Sequence, residues 1–241
     1  MRFRNLLRQS KRTHELPPDF AEEVRRIWNV VQPFTMTSPA RVNALCEATF
    51  YIAKHEIPGS IVECGVWKGG SMLAVALSLI HMGVTSLDLF LFDTFEGMSA
   101  PTEQDVTYSG EAATELLASA SPANPIWARA SLNEVKEVMS NAGYPKDKIH
   151  FVKGKVEDTI PAEAPETVAL LRLDTDWYES TLHELTHLYP RLAPGGVLVV
   201  DDYGHWQGAR RAVDEYLERL QEPILLNRID YTGRIAVKSS R

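Results

Sequence analysis

From residue 60 onward, short apolar runs alternate with stretches of helical periodicity, and this alternation constrains the fold more than any other feature of the chain. The runs at 60–64, 87–92, 148–152, 168–173 and 196–200 have the length and apolarity of strands buried on both faces. Between and after them, 71–81, 132–142, 178–189 and 208–220 carry apolar residues at helical spacing. Consecutive strands joined through a helix pair in parallel, because the crossover returns the chain to the same edge direction. Past the last helix, 224–230 and 234–238 flank Thr232-Gly233 and predict an antiparallel hairpin. Two helices precede residue 60. The first, 19–32, follows Pro17-Pro18 with Asp19 as its cap, and the second, 39–55, has Ser38 as cap and Pro39 in its first turn. The expectation is one α/β domain over 1–241, with a basic tail and helical layer at 1–56 and a core at 60–241. At 241 residues and 44% hydrophobic content, the chain can bury a core of that size.

One stretch interrupts the alternation. Residues 98–130 are rich in Ala, Ser, Thr, Pro and Gly, with weak helical character only at 111–120. A loop of that length in a compact domain is functional or disordered, and a lid over an active site is the reading adopted. The first twelve residues carry Arg2, Arg4, Arg8, Lys11 and Arg12 without an acid, and no apolar segment follows as in a secretory signal. Taking that +5 from the total of −7 leaves −12 on residues 13–241, which disfavours a nucleic-acid partner. No run is long and apolar enough to span a membrane, and a cytoplasmic location is expected. Cys46 and Cys64 lie in apolar surroundings without CxxC spacing, so buried free thiols are expected.

In an open parallel sheet, ligands bind beyond the carboxyl ends of the strands. The first strand runs into Glu63-Cys64-Gly65-Val66-Trp67-Lys68-Gly69-Gly70-Ser71, a glycine-rich turn opening a helix whose N-terminus suits a carboxylate. The spacing is neither GxGxxG nor a Walker loop. Asp93 ends the second strand, where an acid can accept both hydroxyls of a ribose or, alternatively, cap a turn. After the third strand, Gly154-Lys155-Val156 could read an adenine edge. The next two strand ends are more specific: Asp174 and Asp176 follow one, Asp201 and Asp202 the other. Four carboxylates so close repel unless protonated or neutralised by a cation, and an all-oxygen site suits Mg²⁺, or Mn²⁺ in its place, better than zinc. A cation there could acidify an acceptor hydroxyl for removal of its proton by a neighbouring carboxylate. The competing assignment is that these acids cap the following helices.

The strings Thr35-Met36-Thr37-Ser38, Val62 to Ser71, Phe92-Asp93-Thr94-Phe95-Glu96-Gly97-Met98, Leu171 to Thr181 and Asp201-Asp202-Tyr203-Gly204-His205-Trp206 together resemble the macrocin O-methyltransferase family, from about Phe34 onward. The resemblance implies a class I, Rossmann-like methyltransferase fold, S-adenosylmethionine and Mg²⁺ as cofactors, a sugar hydroxyl as acceptor and a homo-oligomer. It places Glu63, Gly65, Trp67 and Ser71 around the methionine moiety, with Thr35 and Met36 closing from the helical layer. It places Asp93 on the ribose, with Phe95 beside it, and Ser131 and Val156 at the nucleoside. Asp174 falls on a metal ligand that doubles as base, Asp201 and Asp202 on the other ligands, and His205 on an alternative base or an acceptor-orienting group.

Two other functions fit part of the sequence. Asp174-Thr175-Asp176 spells the DxD of metal-dependent glycosyltransferases, and an inactive cofactor-binding protein could keep the same fold. The glycine-rich turn, the single acid after the second strand and the terminal hairpin favour the methyltransferase.

Overall fold

The computed structural model describes residues 16–121, 124–220 and 222–239; the basic tail, 1–12, lies outside them. The chain forms α1 (Glu22–Val31), α2 (Pro39–Lys54), β1 (Ser60–Cys64), α3 (Gly70–His81), β2 (Leu89–Asp93), α4 (Ala113–Ser119) and α5 (Leu132–Ser140). There follow β3 (Ile149–Lys153), α6 (Val156–Thr159), β4 (Val168–Leu173), α7 (Tyr178–Leu188), β5 (Leu192–Val200), α8 (Gln207–Arg219), β6 (Asn227–Arg228) and β7 (Arg234–Val237).

The sheet order is β3-β2-β1-β4-β5-β7-β6. β1 to β5 pair in parallel and β7 runs antiparallel to both neighbours. Order reverses at β1, so β1 and β4 diverge into crossovers on opposite sides and open a crevice at their carboxyl ends. Alternate strand residues supply two cores, as the period of two requires. Ile61, Leu170 and Val197 pack with α1, α2, α3 and α5 on one face. Val62, Leu171 and Leu198 pack with α6, α7 and α8 on the other. Ser38 caps α2 by accepting from the Arg41 backbone N–H at 3.2 Å, as read from the sequence. Val24, Ile27 and Val31 of α1 are buried against the domain, so this apolar face is covered within the chain.

Four local readings change. α1 begins at Glu22 with Ala21 before it and no side-chain cap, so Asp19 does not cap this helix. β5 begins at Leu192, four residues before the apolar run, because the backbone carries Pro194 and Gly195 into the strand through a register shift against β4. The terminal hairpin pairs only two residues of its first arm, since Asp230 folds back and its Oδ1 accepts from the N–H of Thr232 and Gly233 at 3.0 and 2.8 Å. Described residues of the segment 98–130 are packed: Ala113 and Leu117 of α4 form a third core with Trp177, Trp206 and Ala209. Asp105, buried in this segment, fixes it further. Its Oδ1 accepts from the Tyr178 backbone N–H at 2.8 Å, which caps the first turn of α7, and its Oδ2 accepts from Thr102 N–H at 2.7 Å. Both cysteines are free and buried. Among the described residues, no helix is long and apolar enough to cross a membrane.

Candidate active site

A cavity of about 680 Å³ lies at the carboxyl ends of β1 to β5, roofed by the chain before α2 and by 97–99 and 125–128. Its first wall is the glycine-rich turn. Gly65 takes φ +83°, and a Cβ there would lie 1.9 Å from the Asp174 carbonyl oxygen, so only glycine lets the β1 and β4 ends approach this closely. Trp67, Phe95 and Asp176, each with positive φ, sit in three of the turns around the cavity. Strained backbone persists only where its surroundings fix it. Asp93 fixes two of these residues: its Oδ2 accepts from Val66 and Trp67 N–H at 2.6 and 3.0 Å, and its Oδ1 from Phe95 N–H at 2.6 Å. Burial raises the Asp93 carboxyl above the usual carboxylate range, against the lowering effect of those three donors. Asp93 faces the cavity as well, so the acid serves as a turn cap and remains accessible to a ligand.

The second wall is the acid cluster. Carboxylate oxygens of Asp174, Asp201 and Asp202 lie within 4.8 Å of one another. Two guanidinium groups hold this charge, buried Arg172 from beneath and partly buried Arg41 from the cavity wall. Arg172, the one charged residue in the apolar strand β4, reaches Glu63 Oε1 at 2.5 Å and both Asp174 and Asp201 at 2.7 Å. Arg41 of α2 pairs with the other oxygen of Asp201 and with Asp230. Acids still outnumber these cations. Asp202 Oδ2 is buried without a hydrogen-bond donor. Asp202 is pushed well above its ordinary value by burial and then by Asp176 and Asp174. Asp176 is pushed up to about 7, by burial first and Asp174 second, although Trp206 donates to it. An orphaned carboxylate oxygen beside two further acids is a donor set that fits a hard divalent cation. None of these acids caps α7 or α8, since neither helix has a side-chain cap at its preceding residue.

His205 also faces the cavity, with Nδ1 2.5 Å from the Tyr231 hydroxyl. Burial, and secondarily Arg41, lowers its pKa, so the imidazole is neutral at pH 7. Thr35, Met36, Trp67, Ser71 and Val156 complete the walls on the side of the glycine turn. Three sequence-assigned residues lie off the lining. Glu63 is fully buried beneath it, holding Arg172; Phe95 packs into the core edge-on to Phe151; Ser131 caps α5 in a reciprocal pair with Glu134. Arg172, Arg41 and Asp230 received no role from the sequence. A lone arginine in a buried strand was a usable signal, whereas Arg41 and Asp230 are separated by 189 residues and carry none.

The fold, with its crevice at the reversal of strand order and its terminal antiparallel strand, defines a class I methyltransferase. The chain belongs to a particular family of these enzymes: the profile of the Macrocin-O-methyltransferase (TylF) family matches residues 7–237. It is 31% identical over 217 residues to demethyldecarbamoylnovobiocin O-methyltransferase of Streptomyces niveus, covering 89% of this chain and 80% of that one. It is 32% identical over 201 residues to 8-demethyl-8-(2,3-dimethoxy-alpha-L-rhamnosyl)-tetracenomycin-C 4'-O-methyltransferase of Streptomyces olivaceus, covering 83% and 73%. The solved structure of the O-methyltransferase NovP superposes with a TM-score of 0.74 at 30% identity, over 86% of this chain and 82% of that one. The protein is therefore an O-methyltransferase, and the DxD glycosyltransferase reading of Asp174-Thr175-Asp176 is set aside.

Proposed function

We propose that this protein transfers the methyl group of S-adenosylmethionine to a hydroxyl of a sugar or glycosylated metabolite, with Mg²⁺ as the second cofactor. The observation that carries the reading is that one cavity has the glycine turn and Asp93 on one wall and the three-aspartate cluster on the other. When bound, S-adenosylmethionine supplies an electrophilic methyl, and Mg²⁺ held by Asp174, Asp201 and Asp202 supplies the positive charge that acidifies the acceptor hydroxyl. The chain's own residues do the rest. Asp174, less buried than the other two acids, accepts the hydroxyl proton as the oxygen takes the methyl. Neutral His205, held by Tyr231, orients the acceptor. Thr35, Met36, Gly65, Trp67, Ser71, Asp93 and Val156 form the donor's walls and hold donor and acceptor in line, the main remaining source of rate.

Calorimetry on metal-stripped protein tests the donor site: S-adenosylhomocysteine binds without metal, because the glycine turn and Asp93 stand apart from the acid cluster. Preference for NAD or a UDP-sugar overturns the assignment. Transfer of a radiolabelled methyl to a sugar acceptor, abolished by EDTA and restored by Mg²⁺, tests the rest.

A further inference from the structure

A second cavity of about 470 Å³ abuts the first, and His205 and Trp206 belong to the walls of both. Its volume falls in the range of about 300–1,000 Å³ of ligand clefts. Its floor is one face of α8, where Gln207, Arg210, Arg211, Asp214, Glu215 and Glu218 recur at helical spacing. Tyr203 and Tyr108 form its sides. These groups also bond to one another: Arg211 pairs with Glu215 at 2.6 Å and the Tyr203 hydroxyl donates to Asp214 at 2.7 Å. At the junction, two exposed rings stand over His205. Tyr108 is 65% and Tyr231 50% exposed, with centroids 5.6 Å apart and planes nearly perpendicular. Rings standing at a cavity mouth offer a ligand an apolar face beside a polar hydroxyl.

We infer that this groove is a second acceptor subsite, which takes a neutral sugar ring next to the one that is methylated, so that the preferred acceptor is an oligosaccharide or a glycoside of at least two rings. The inference rests on the sugar O-methyltransferase reading given above. Composition selects the class of occupant. The lining has no aliphatic side chain to receive a hydrophobic aglycone, and two arginines face three acids, which disfavours the diphosphate of a nucleotide sugar. Planar guanidinium, carboxylate and amide groups beside tyrosine rings match instead the mixed surface of a pyranose, with hydroxyls at its edge and C–H groups on its face. Tyr108 lies on the segment 98–130, so that segment contributes to acceptor choice as well as covering the cavity.

Initial-rate kinetics on the intact protein with S-adenosylmethionine and Mg²⁺ test this. The acceptors are methyl glycosides of rhamnose, glucose and mannose, their 1,4-linked disaccharides, and dTDP-rhamnose; rhamnose is included because one relative's name carries a rhamnosyl group. For the sugar that is methylated, the disaccharide is expected to show a KM roughly tenfold below the monosaccharide, a difference of about 1.4 kcal/mol. Tyr108→Ala and Arg211→Ala bring that ratio towards one, and saturation-transfer NMR on protein loaded with S-adenosylhomocysteine shows the second ring's protons losing contact. Equal KM values for one and two rings, or preference for dTDP-rhamnose, overturn the subsite while the methyltransferase reading stands. Binding and turnover of none of the sugars overturn the sugar-acceptor reading and the subsite together.

Discussion

The guanidinium of Arg172 donates to Glu63 at 2.5 Å where both side chains are shut off from water, tying β4 to β1 directly beneath the acid cluster. The same guanidinium reaches Asp174 and Asp201, so one buried cation sets the position of two of the three acids proposed to bind metal.

Replacing Arg172 by Met leaves Glu63 buried without its cation and Asp201 with Arg41 alone, and loss of one partner of a buried pair costs about 3–5 kcal/mol. Arg172→Lys keeps the charge but cannot place several donors on three acids at once. Denaturant titration is expected to show both variants destabilised, Met more than Lys. Lys is expected to weaken Mg²⁺ binding, read by calorimetry, even where it folds.

The metal-free protein is expected to lose stability as pH rises from about 4 to 8. Burial raises Asp176 to about 7, and holds Glu184 and Asp202 well above their ordinary values. Each of these acids binds its proton more tightly folded than unfolded. The stability this gives is full below the unfolded value and is lost as pH climbs through the folded one. Melting temperatures in EDTA across this range check the slope. Added Mg²⁺ is expected to flatten it, because a cation held by Asp174, Asp201 and Asp202 lowers Asp202 and the neighbouring Asp176 by opposite charge.

Asp201→Asn and Asp202→Asn are expected to lower turnover, with partial recovery at raised Mg²⁺ and unchanged affinity for S-adenosylhomocysteine. Asp174→Asn removes activity that metal does not restore, because an amide cannot take the acceptor's proton. Without metal, Asp202→Asn is expected to melt at or above the wild-type temperature, since it removes charge from a self-repelling group. Activity and melting temperature measured on the same three variants decide this, and full activity in EDTA would sink the metal-dependent mechanism.

Arg41 occupies one oxygen of Asp201 and bridges to Asp230, stapling α2 to the loop before β7. A divalent cation on Asp201 competes with it. Arg41→Gln is therefore expected to lower the melting temperature in EDTA and to increase the gain that saturating Mg²⁺ produces. An unchanged gain would show that Arg41 does not compete for that oxygen.

Asp93→Ala frees three backbone donors in two strained turns. The expected result is a fall in stability together with an affinity loss for S-adenosylhomocysteine of roughly 1–3 kcal/mol, as for hydrogen bonds to a charged group. Calorimetry and thermal melts on one sample check both.

The alternation of strand and helix, the parallel sheet with its antiparallel end, and the strand ends at which Gly65, Asp93, Asp174, Asp201 and Asp202 fall can all be read from the amino-acid order. These were legible because burial of a strand on both faces and amphipathic helical spacing are local patterns, and strand ends converge in any open parallel sheet. Tertiary structure alone decided which groups surround those acids. Glu63 looks like a residue of the glycine turn, yet its strand position turns it inward to Arg172, while Ser131 and Phe95 are drawn away by a helix cap and a core contact. Arg41, Asp230 and the tyrosine pair Tyr108 and Tyr231 come from separate elements that only packing brings together. The segment 98–130 reads as a loop because many of its apolar residues are alanine and Ser, Thr, Pro and Gly interrupt any sustained periodicity; the partners of its buried residues, Trp177 and Trp206, lie far along the chain. Local periodicity reports which face a residue presents, but the charge and hydrogen bonds that meet that face belong to residues distant in sequence.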